Sequence, residues 1–392
     1  MDRPTITMIP ANTPWLTDPS VRAVCQAIAA QGAPIYMVGG CVRDAILGVA
    51  GSDVDMATPV LPQEVSRLAQ AAGLKVVPTG IDHGTVTVIA GGTGFEITSF
   101  RKDIATDGRR AVVAFSDDIT EDARRRDFTL NALYATLAGD IVDPLGGLPD
   151  CHARRIRFIE DAETRIREDY LRILRFFRFH ARYADPAQGF DPDALAAIAS
   201  NSAGLETLSA ERVGQELCRL LAAPDPMPAV AVMHQIGVLP QILPGSDVTF
   251  LGPVVHLADH LCLPPDWRLR LAALGGEDLQ DRLRLTNKDA KAVAQMREML
   301  GAMTPDHEIA YRHGFDRAVQ VAILRGAMAN QPMGKDMLQP LQHAAQARLP
   351  LTAQDLMPGL SGKALGDRLA TLENRWIASG FTLTRDALLA SD

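Results

Sequence analysis

The spacing of apolar residues along this chain changes character once. Up to about residue 100 the apolar runs are short, strand-like and bounded by Gly, Pro and Asp. Residues 35–38 (IYMV) form one such run, ended by Gly39 and Gly40. Three more follow at 75–78, 84–90 and 95–100, and HGTVTVIA alternates with the period of a half-buried strand. With 35–38 and an extended segment over 53–56, they predict a small mixed sheet. Helical spacing is interleaved. Val21, Val24, Cys25 and Ile28 predict a helix over 19–31, and residues 41–47 predict a short one stopped by Gly48. Pro62 opens another that Gly73 closes, the usual asymmetry of helix ends. Residues 1–18, with Pro4, Pro10 and Pro14, read as an extended lead-in.

Residues 101–122 carry charges of both signs, interrupted by AVVAF, and predict a mobile loop with one short strand. ARRRDFTLNALYA (123–135) predicts a helix with Leu130, Leu133 and Tyr134 on its apolar side. Arg124, Arg125 and Arg126 would crowd its N-terminal end against the helix dipole, so something other than the helix is asking for that charge. DPLGGLPD (143–150) is a turn cluster and a domain boundary by pattern.

From about 151 the pattern is helical. The strongest segment is REDYLRILRFFRFHARY (167–183), with Leu171, Leu174, Phe177 and Phe179 facing inward. Asp169, Arg172, Arg175 and Arg178 recur every three residues along one side. Taken alone, that row reads as a solvated face with ion pairs such as Asp169–Arg172, each worth a few tenths of a kcal/mol. A further helix is predicted over 209–222 with Ser209 as cap. PDPMPAV (224–230) is a proline-rich hinge, and the remainder reads as short helices separated by Gly and Pro. The expected fold class is therefore α+β: a small mixed-sheet domain over 1–150, then all-α domains over 151–223 and 224–392.

Composition narrows the class. With 392 residues, 47% hydrophobic and 22% charged, the chain is an ordinary globular one with room for two or three domains. No apolar run approaches the ~20 residues that span a bilayer, and no basic-then-apolar leader pattern is present, so a cytoplasmic protein is expected. Five dispersed cysteines without C-x-x-C point to free thiols, with neither disulfides nor zinc. The net charge of −8 argues mildly against nucleic acid, but only the local surface matters. Residues 151–182 hold nine arginines against five acidic residues.

The chemistry concentrates in IYMVGGCVRDAILGVAGSDVDMAT (35–58). On an extended backbone Asp53 and Asp55 project to the same face. Two adjacent carboxylates repel unless a cation lies between them, and Mg²⁺ is commonly held by one or two carboxylates plus substrate phosphates. Gly39 and Gly40 allow close backbone approach, the helix after them offers free N–H groups to an anion, and Arg43 adds charge. Singly, a D-x-D or a Gly-Gly usually marks only a turn; their order after a strand is what carries the reading. Glu96, on the last strand, is a third acidic group or a solvated edge residue.

The ordered set VGGCVRD, SDVDMAT, HGTVTV, FEITSFRKD, RRRDFTLNAL, DPLGGLPD and REDYLRILRFFRF resembles the class II tRNA nucleotidyltransferases, the CCA-adding enzymes of the polymerase-beta-like superfamily. The likeness is strong over residues 30–220 and faint beyond. It implies a catalytic head, a helical neck recognising the base, and a body and tail that bind tRNA. Asp53 and Asp55 match the catalytic, metal-binding pair. Gly40 and Arg43 resemble triphosphate contacts, and Arg126 a nucleotide contact. Glu168, Asp169 and Arg172 resemble the templating element, with Arg175 and Arg178 extending its nucleotide-binding face. The implied reaction is Mg²⁺-dependent addition of CCA to the tRNA 3′ end from CTP and ATP, with release of pyrophosphate.

The implied selectivity has a physical basis. Cytosine and adenine both present an amino donor beside a ring acceptor, whereas guanine and uracil present the reverse. Ionised Asp169 only accepts and Arg172 only donates, so a fixed pair fits C and A. Two other readings compete. A bacterial poly(A) polymerase shares most of these motifs, although HGTVTV (83–88) resembles the CCA-adding form. An RNA-binding module with an inactive head would have no need of both Asp53 and Asp55. A nucleotide-sensing or phosphohydrolase role has no supporting H-D metal pair. A CC-only enzyme would lack the polar segment at 101–122.

Overall fold

The computed structural model describes residues 7–390 except 50, 52, 79, 82, 83, 108, 109 and 358, and of 103–113 the backbone only. Ser52 of the SDVD segment and His83 of the HGTVTV strand therefore lie outside the described residues. The chain divides into two units: Met1–Ser209 with Ile236–Val238, and Ala210–Gln235 with Leu239–Asp392. The turn cluster 143–150 falls inside the first unit.

The first unit is built on a seven-stranded sheet whose strands lie side by side in the order Lys75–Val77, Thr85–Ala90, Thr93–Ser99, Met56–Thr58, Tyr36–Val38, Tyr134–Ala135, Ile141–Val142. The strands are β1 (Tyr36–Val38), β2 (Met56–Thr58), β3 (Lys75–Val77), β4 (Thr85–Ala90), β5 (Thr93–Ser99), β8 (Tyr134–Ala135) and β9 (Ile141–Val142). Only β2 and β5 run parallel; the other pairs are antiparallel. The alternation expected of β4 is present: Val86, Val88 and Ala90 are buried and the residues between them half-buried. Helices Pro19–Ala29 and Pro62–Ala71 cover that apolar face with Val21, Val24, Ile28, Val65 and Leu68.

Four expected elements differ. The segment expected as a mobile loop holds an antiparallel hairpin, β6 (Arg101–Asp107) with β7 (Arg110–Phe115), bulged between Asp103 and Ala105. Backbone ladder bonds make it, and a polar pattern does not advertise them. Helix Ile119–Arg124 follows.

The expected helix 123–135 is absent. A 3₁₀ turn (Thr129–Asn131) and β8 take its place, and Phe128 bridges to Phe158. The Asp127 carboxylate accepts from the Phe128 N–H and Asn131 Nδ2, both at 2.9 Å, offering the backbone an alternative to helix. Phe128, Leu130, Leu133 and Tyr134 are all buried, so no single apolar stripe exists. The arginines consequently sit at the C-terminal end of Ile119–Arg124, where the dipole favours them.

The carboxylates were expected on a strand over 53–56, but β2 begins only at Met56, so both precede it. Finally, 167–183 is two helices, Ala162–Glu168 and Leu171–Tyr183, because Asp169 is extended (φ −154°, ψ 105°).

An aromatic core fixes the second of these helices. Phe128 packs at 5.0 Å from Phe158 and 5.1 Å from Phe179, and Phe158 stacks on Phe176 at 5.5 Å. Such pairs add about 1 kcal/mol each beyond their burial. They lock the arginine-bearing helix onto the turn at Asp127.

The second unit is all helical among its described residues. Helix Phe315–Ala329 is its apolar centre, with Val319, Val321, Ile323 and Leu324 buried. Buried Arg270 donates to the carbonyls of Leu221 (2.6 Å) and Pro224 (2.9 Å), satisfying the end of helix Ala210–Leu221. Leu351, Leu372, Trp376, Ile377 and Leu388 form a separate cluster toward the C-terminus. Among the described residues no helix is long and apolar enough to cross a membrane. All five cysteines are free thiols.

Candidate active site

The site begins where β1 ends. Gly39 takes φ 72°, ψ −120°, a conformation only glycine adopts cheaply, and its N–H donates to the Leu133 carbonyl at 3.0 Å. Helix Gly40–Leu47 starts at once at the end of an interior strand, and the free N–H groups of its first turn open at half-buried Gly40, the usual place for an anion to approach. The Val38 N–H donates to the Asp55 carbonyl at 2.9 Å. This bond sets the carboxylate segment beside the glycine turn.

Asp53 and Asp55 are both exposed and Val54 between them is half-buried, the two-residue alternation of an extended backbone. Glu96 precedes Ile97 of β5 as Asp55 precedes Met56 of β2, and Ile97 and Met56 are paired in register. Glu96 and Asp55 are thus neighbours across two strands. Desolvation by the surrounding walls, then the charge of Glu96 and that of Asp53, push the Asp55 carboxyl up to about 6, although Arg126 pulls the other way. The donors are hard oxygens, which suits a hard divalent cation. Among the described residues no three His, Cys, Asp or Glu side chains are grouped to hold a metal by themselves. Two carboxylates with substrate oxygens would complete the ligand set.

Arg126 flanks the glycine turn: a Cβ on Gly39 would lie 3.5 Å from its Nη1. Its Nη2 donates to Asp122 Oδ2 at 3.0 Å and its Nε to the Tyr134 hydroxyl at 3.2 Å. That hydroxyl itself donates to Asp122 at 2.7 Å, and Arg125 Nε reaches the same carboxylate at 2.8 Å. Burial alone would raise Asp122, but Arg126 and Arg125 bring it down to about 2.

Arg43 is not on the surface. It is 4% exposed, and its nitrogens donate to Asp44 (2.8 Å), Asn131 Oδ1 (2.5 Å) and the Tyr183 hydroxyl (2.7 Å). Its guanidinium carbon lies 3.9 Å from the Tyr183 ring centroid. It therefore ties the glycine helix to helix Leu171–Tyr183.

The arginine row divides by partner. Arg172 is buried, and Glu168 Oε2 accepts from its Nη1 at 2.6 Å. The same nitrogen donates to the Arg165 carbonyl (2.8 Å), and Nη2 donates to the Arg125 carbonyl (3.1 Å). These bonds use three of the five N–H groups of a guanidinium. Arg175 Nε donates to Asp127 Oδ2 at 2.7 Å. Burial acts upward on Asp127, but Arg175 and Asn131 outweigh it and hold it at about 2. Arg178 lies over the Phe179 ring at 4.5 Å. Asp169 stands two residues before the following helix, its Oδ1 accepting from the Leu171 N–H at 3.1 Å.

Asp122, Tyr134, Asn131, Tyr183 and Arg165 were missed in the sequence. Asp122 had a signal, standing four residues before Arg126. Asn131 and Tyr183 had none, being 88 and 140 residues from the Arg43 they hold.

Residues 35–157 match the poly A polymerase head domain, and 189–249 match the probable RNA and SrmB-binding site of polymerase A. The chain is 30% identical to the mitochondrial CCA tRNA nucleotidyltransferase 1 of Mus musculus, over 94% of this chain and 89% of that protein. It is 32% identical to a CCA-adding enzyme of Geobacillus kaustophilus over 79% and 78%. The crystal structure of the Bacillus stearothermophilus CCA-adding enzyme in complex with CTP superposes with a TM-score of 0.73 at 28% identity, over 93% and 94% of the two chains. The Thermotoga maritima CCA-adding enzyme complexed with tRNA shares the fold at 19% identity, TM-score 0.64.

Proposed function

The chain belongs to the CCA-adding tRNA nucleotidyltransferase family, and from that premise we propose how its residues divide the work. The enzyme adds CCA to the tRNA 3′ end from CTP and ATP and releases pyrophosphate. The family's chemistry depends on a divalent metal; we take the metal to be Mg²⁺, held by Asp53 and Asp55. When bound, it would ease loss of the proton from the attacking 3′-hydroxyl and neutralise charge on the triphosphate.

The chain's own residues do the rest. The backbone N–H groups opening Gly40–Leu47, that of Gly40 first, receive triphosphate oxygens, while the Gly39 N–H stays on the Leu133 carbonyl and fixes the turn. Arg126, braced by Asp122 and Tyr134, adds a fixed positive charge beside them. Arg43, buried, keeps the glycine helix aligned with the base-selecting helix. Asp169 accepts from the amino group of C or A, and Arg172 donates to the ring nitrogen with an N–H that its three bonds leave over. Arg175 and Arg178 extend that nucleotide-binding face. Residues 1–150 hold phosphates and metal, 151–223 read the base, and 224–392 hold tRNA through its backbone phosphates and shape. Free, dispersed thiols fit a reducing compartment, and we place the enzyme in the cytoplasm.

The observation that carries this reading is the exposed pair Asp53 and Asp55, with Glu96 across the adjacent strand, set beside a glycine turn. Single-nucleotide incorporation on tRNA ending at the discriminator base, C or CC tests it. Two Cs and one A followed by a stop is the expected result. A long A tail would mean poly(A) polymerase, C addition alone would mean a split-function enzyme, and tRNA binding without incorporation would revive the binding module.

A further inference from the structure

One guanidinium in the first unit belongs to no motif discussed above. Arg165, on helix Ala162–Glu168, is 6% exposed. Its Nη2 donates to the Arg126 carbonyl at 2.5 Å, and its Nη1 donates to Glu168 Oε2. That same oxygen accepts from Arg172, whose Nη1 returns to the Arg165 carbonyl at 2.8 Å. Arg172 meanwhile holds the Arg125 carbonyl. Two buried guanidiniums, joined through one carboxylate oxygen, thus grip the consecutive carbonyls of Arg125 and Arg126. The Arg126 side chain, on the other side of that turn, lies against Gly39 and within electrostatic reach of Asp55.

We propose that Arg165 is a positioning residue that couples base choice to the chemistry at phosphorus. The inference rests on the templating reading of Arg172. A base that pairs well leaves Arg172 in place, and the clamp then holds Arg126 at the glycine turn. A base that cannot accept from Arg172 displaces it, and the shared Glu168 oxygen and the two carbonyls carry that displacement to Arg126. Discrimination would then act on turnover as well as on binding. Lysine could not substitute, because one ammonium on a flexible stem lacks the planar fork that spans a carbonyl and a carboxylate together.

The test compares Arg165→Lys, Arg172→Ala and the double variant with wild type, measuring kcat and KM for CTP, ATP, UTP and GTP on tRNA ending at the discriminator base. Arg165→Lys is expected to cut the C-over-U ratio of kcat/KM at least tenfold, with tRNA affinity within twofold of wild type. In the Arg172→Ala background it should cut that ratio no further, because it acts through Arg172. Equal loss for all four nucleotides, or a further full loss in the double variant, would overturn the proposal. If Arg172→Ala itself leaves base choice intact, the templating reading fails instead. Should Arg165→Lys prove unstable by thermal melting, Glu168→Gln, which weakens the same bridge from its other end, takes its place with the same expected and overturning results.

Discussion

Two pairs of aspartates in the first unit have opposite fates. Asp53 and Asp55 stand in the open beside Glu96, and Asp55 is driven up to about 6. Asp122 and Asp127 are buried yet held at about 2, because Arg125, Arg126 and Arg175 lie against them. Desolvation acts in the same direction on Asp55, Asp122 and Asp127, so the difference lies in the neighbouring charges: hydrogen-bonded arginines against Asp122 and Asp127, and Glu96 and Asp53 beside Asp55 with only Arg126 opposing them. Satisfied carboxylates are girders. Asp53 and Asp55, exposed and beside a third acidic group, are the pair we propose for the metal.

The comparison is broken most severely by removing an unsatisfied carboxylate. Asp53→Ala is expected to lower incorporation at least ~10³-fold, as loss of a group acting at the transition state does, while circular dichroism and tRNA binding stay near wild type. Loss of folding instead would make Asp53 a girder too. Arg172→Ala is expected to relax base choice by roughly 10- to 100-fold, read as the ratio of C to U incorporation, with a smaller effect on triphosphate affinity. Equal loss for every nucleotide would remove it from templating.

Removing a satisfied carboxylate should act on stability first. Asp122→Ala leaves two arginines and the Tyr134 hydroxyl without their shared acceptor, and about 3 kcal/mol of stability should be lost in denaturant unfolding. An unchanged unfolding midpoint would show that the brace carries no load.

The smallest effect is the most diagnostic. Asp55 has a raised folded value, so its contribution favours the fold below the ordinary carboxylate range and is lost as pH rises through about 6. In metal-free protein Asp55→Asn should therefore raise the melting temperature above about pH 6 and leave it unchanged below about pH 4. Added Mg²⁺ should stabilise wild type more than the variant, and only on the alkaline side. Asp122 and Asp127 have the reverse sign: their contribution is present above the ordinary range and is lost only as pH falls toward about 2. A wild type indifferent to both metal and pH near 6 would refute the raised Asp55 value and the metal role proposed for it.

Much of the head was legible because its signals are local. The strand, the two glycines, the short helix closed by Gly48 and the two-residue spacing of the aspartates depend on neighbours a few positions away. The mistakes came where a side chain took a partner that the apolar pattern does not show, whether close by or far along the chain. The segment 123–135 had a passable helical stripe, but Asp127 captured its backbone and Phe128 turned toward Phe158. With that helix gone, the dipole objection to the three arginines disappeared as well. Arginines spaced by three on 169–178 read as a solvated face, whereas Arg172 is buried on Glu168 and Arg175 is paired with Asp127, 48 residues away.

Backbone preference and side-chain alternation were set by the sequence itself: where the chain extends, where glycine lets it reverse, and which acidic pair shares a face. Tertiary structure decided which charges are spent and which remain. Steric preferences act within a few residues, whereas the energy of a charge depends on every group that folding brings within several ångströms of it. Arg43 shows the consequence. Its sequence motif offers it to a triphosphate, and the fold spends it on Asn131 and Tyr183.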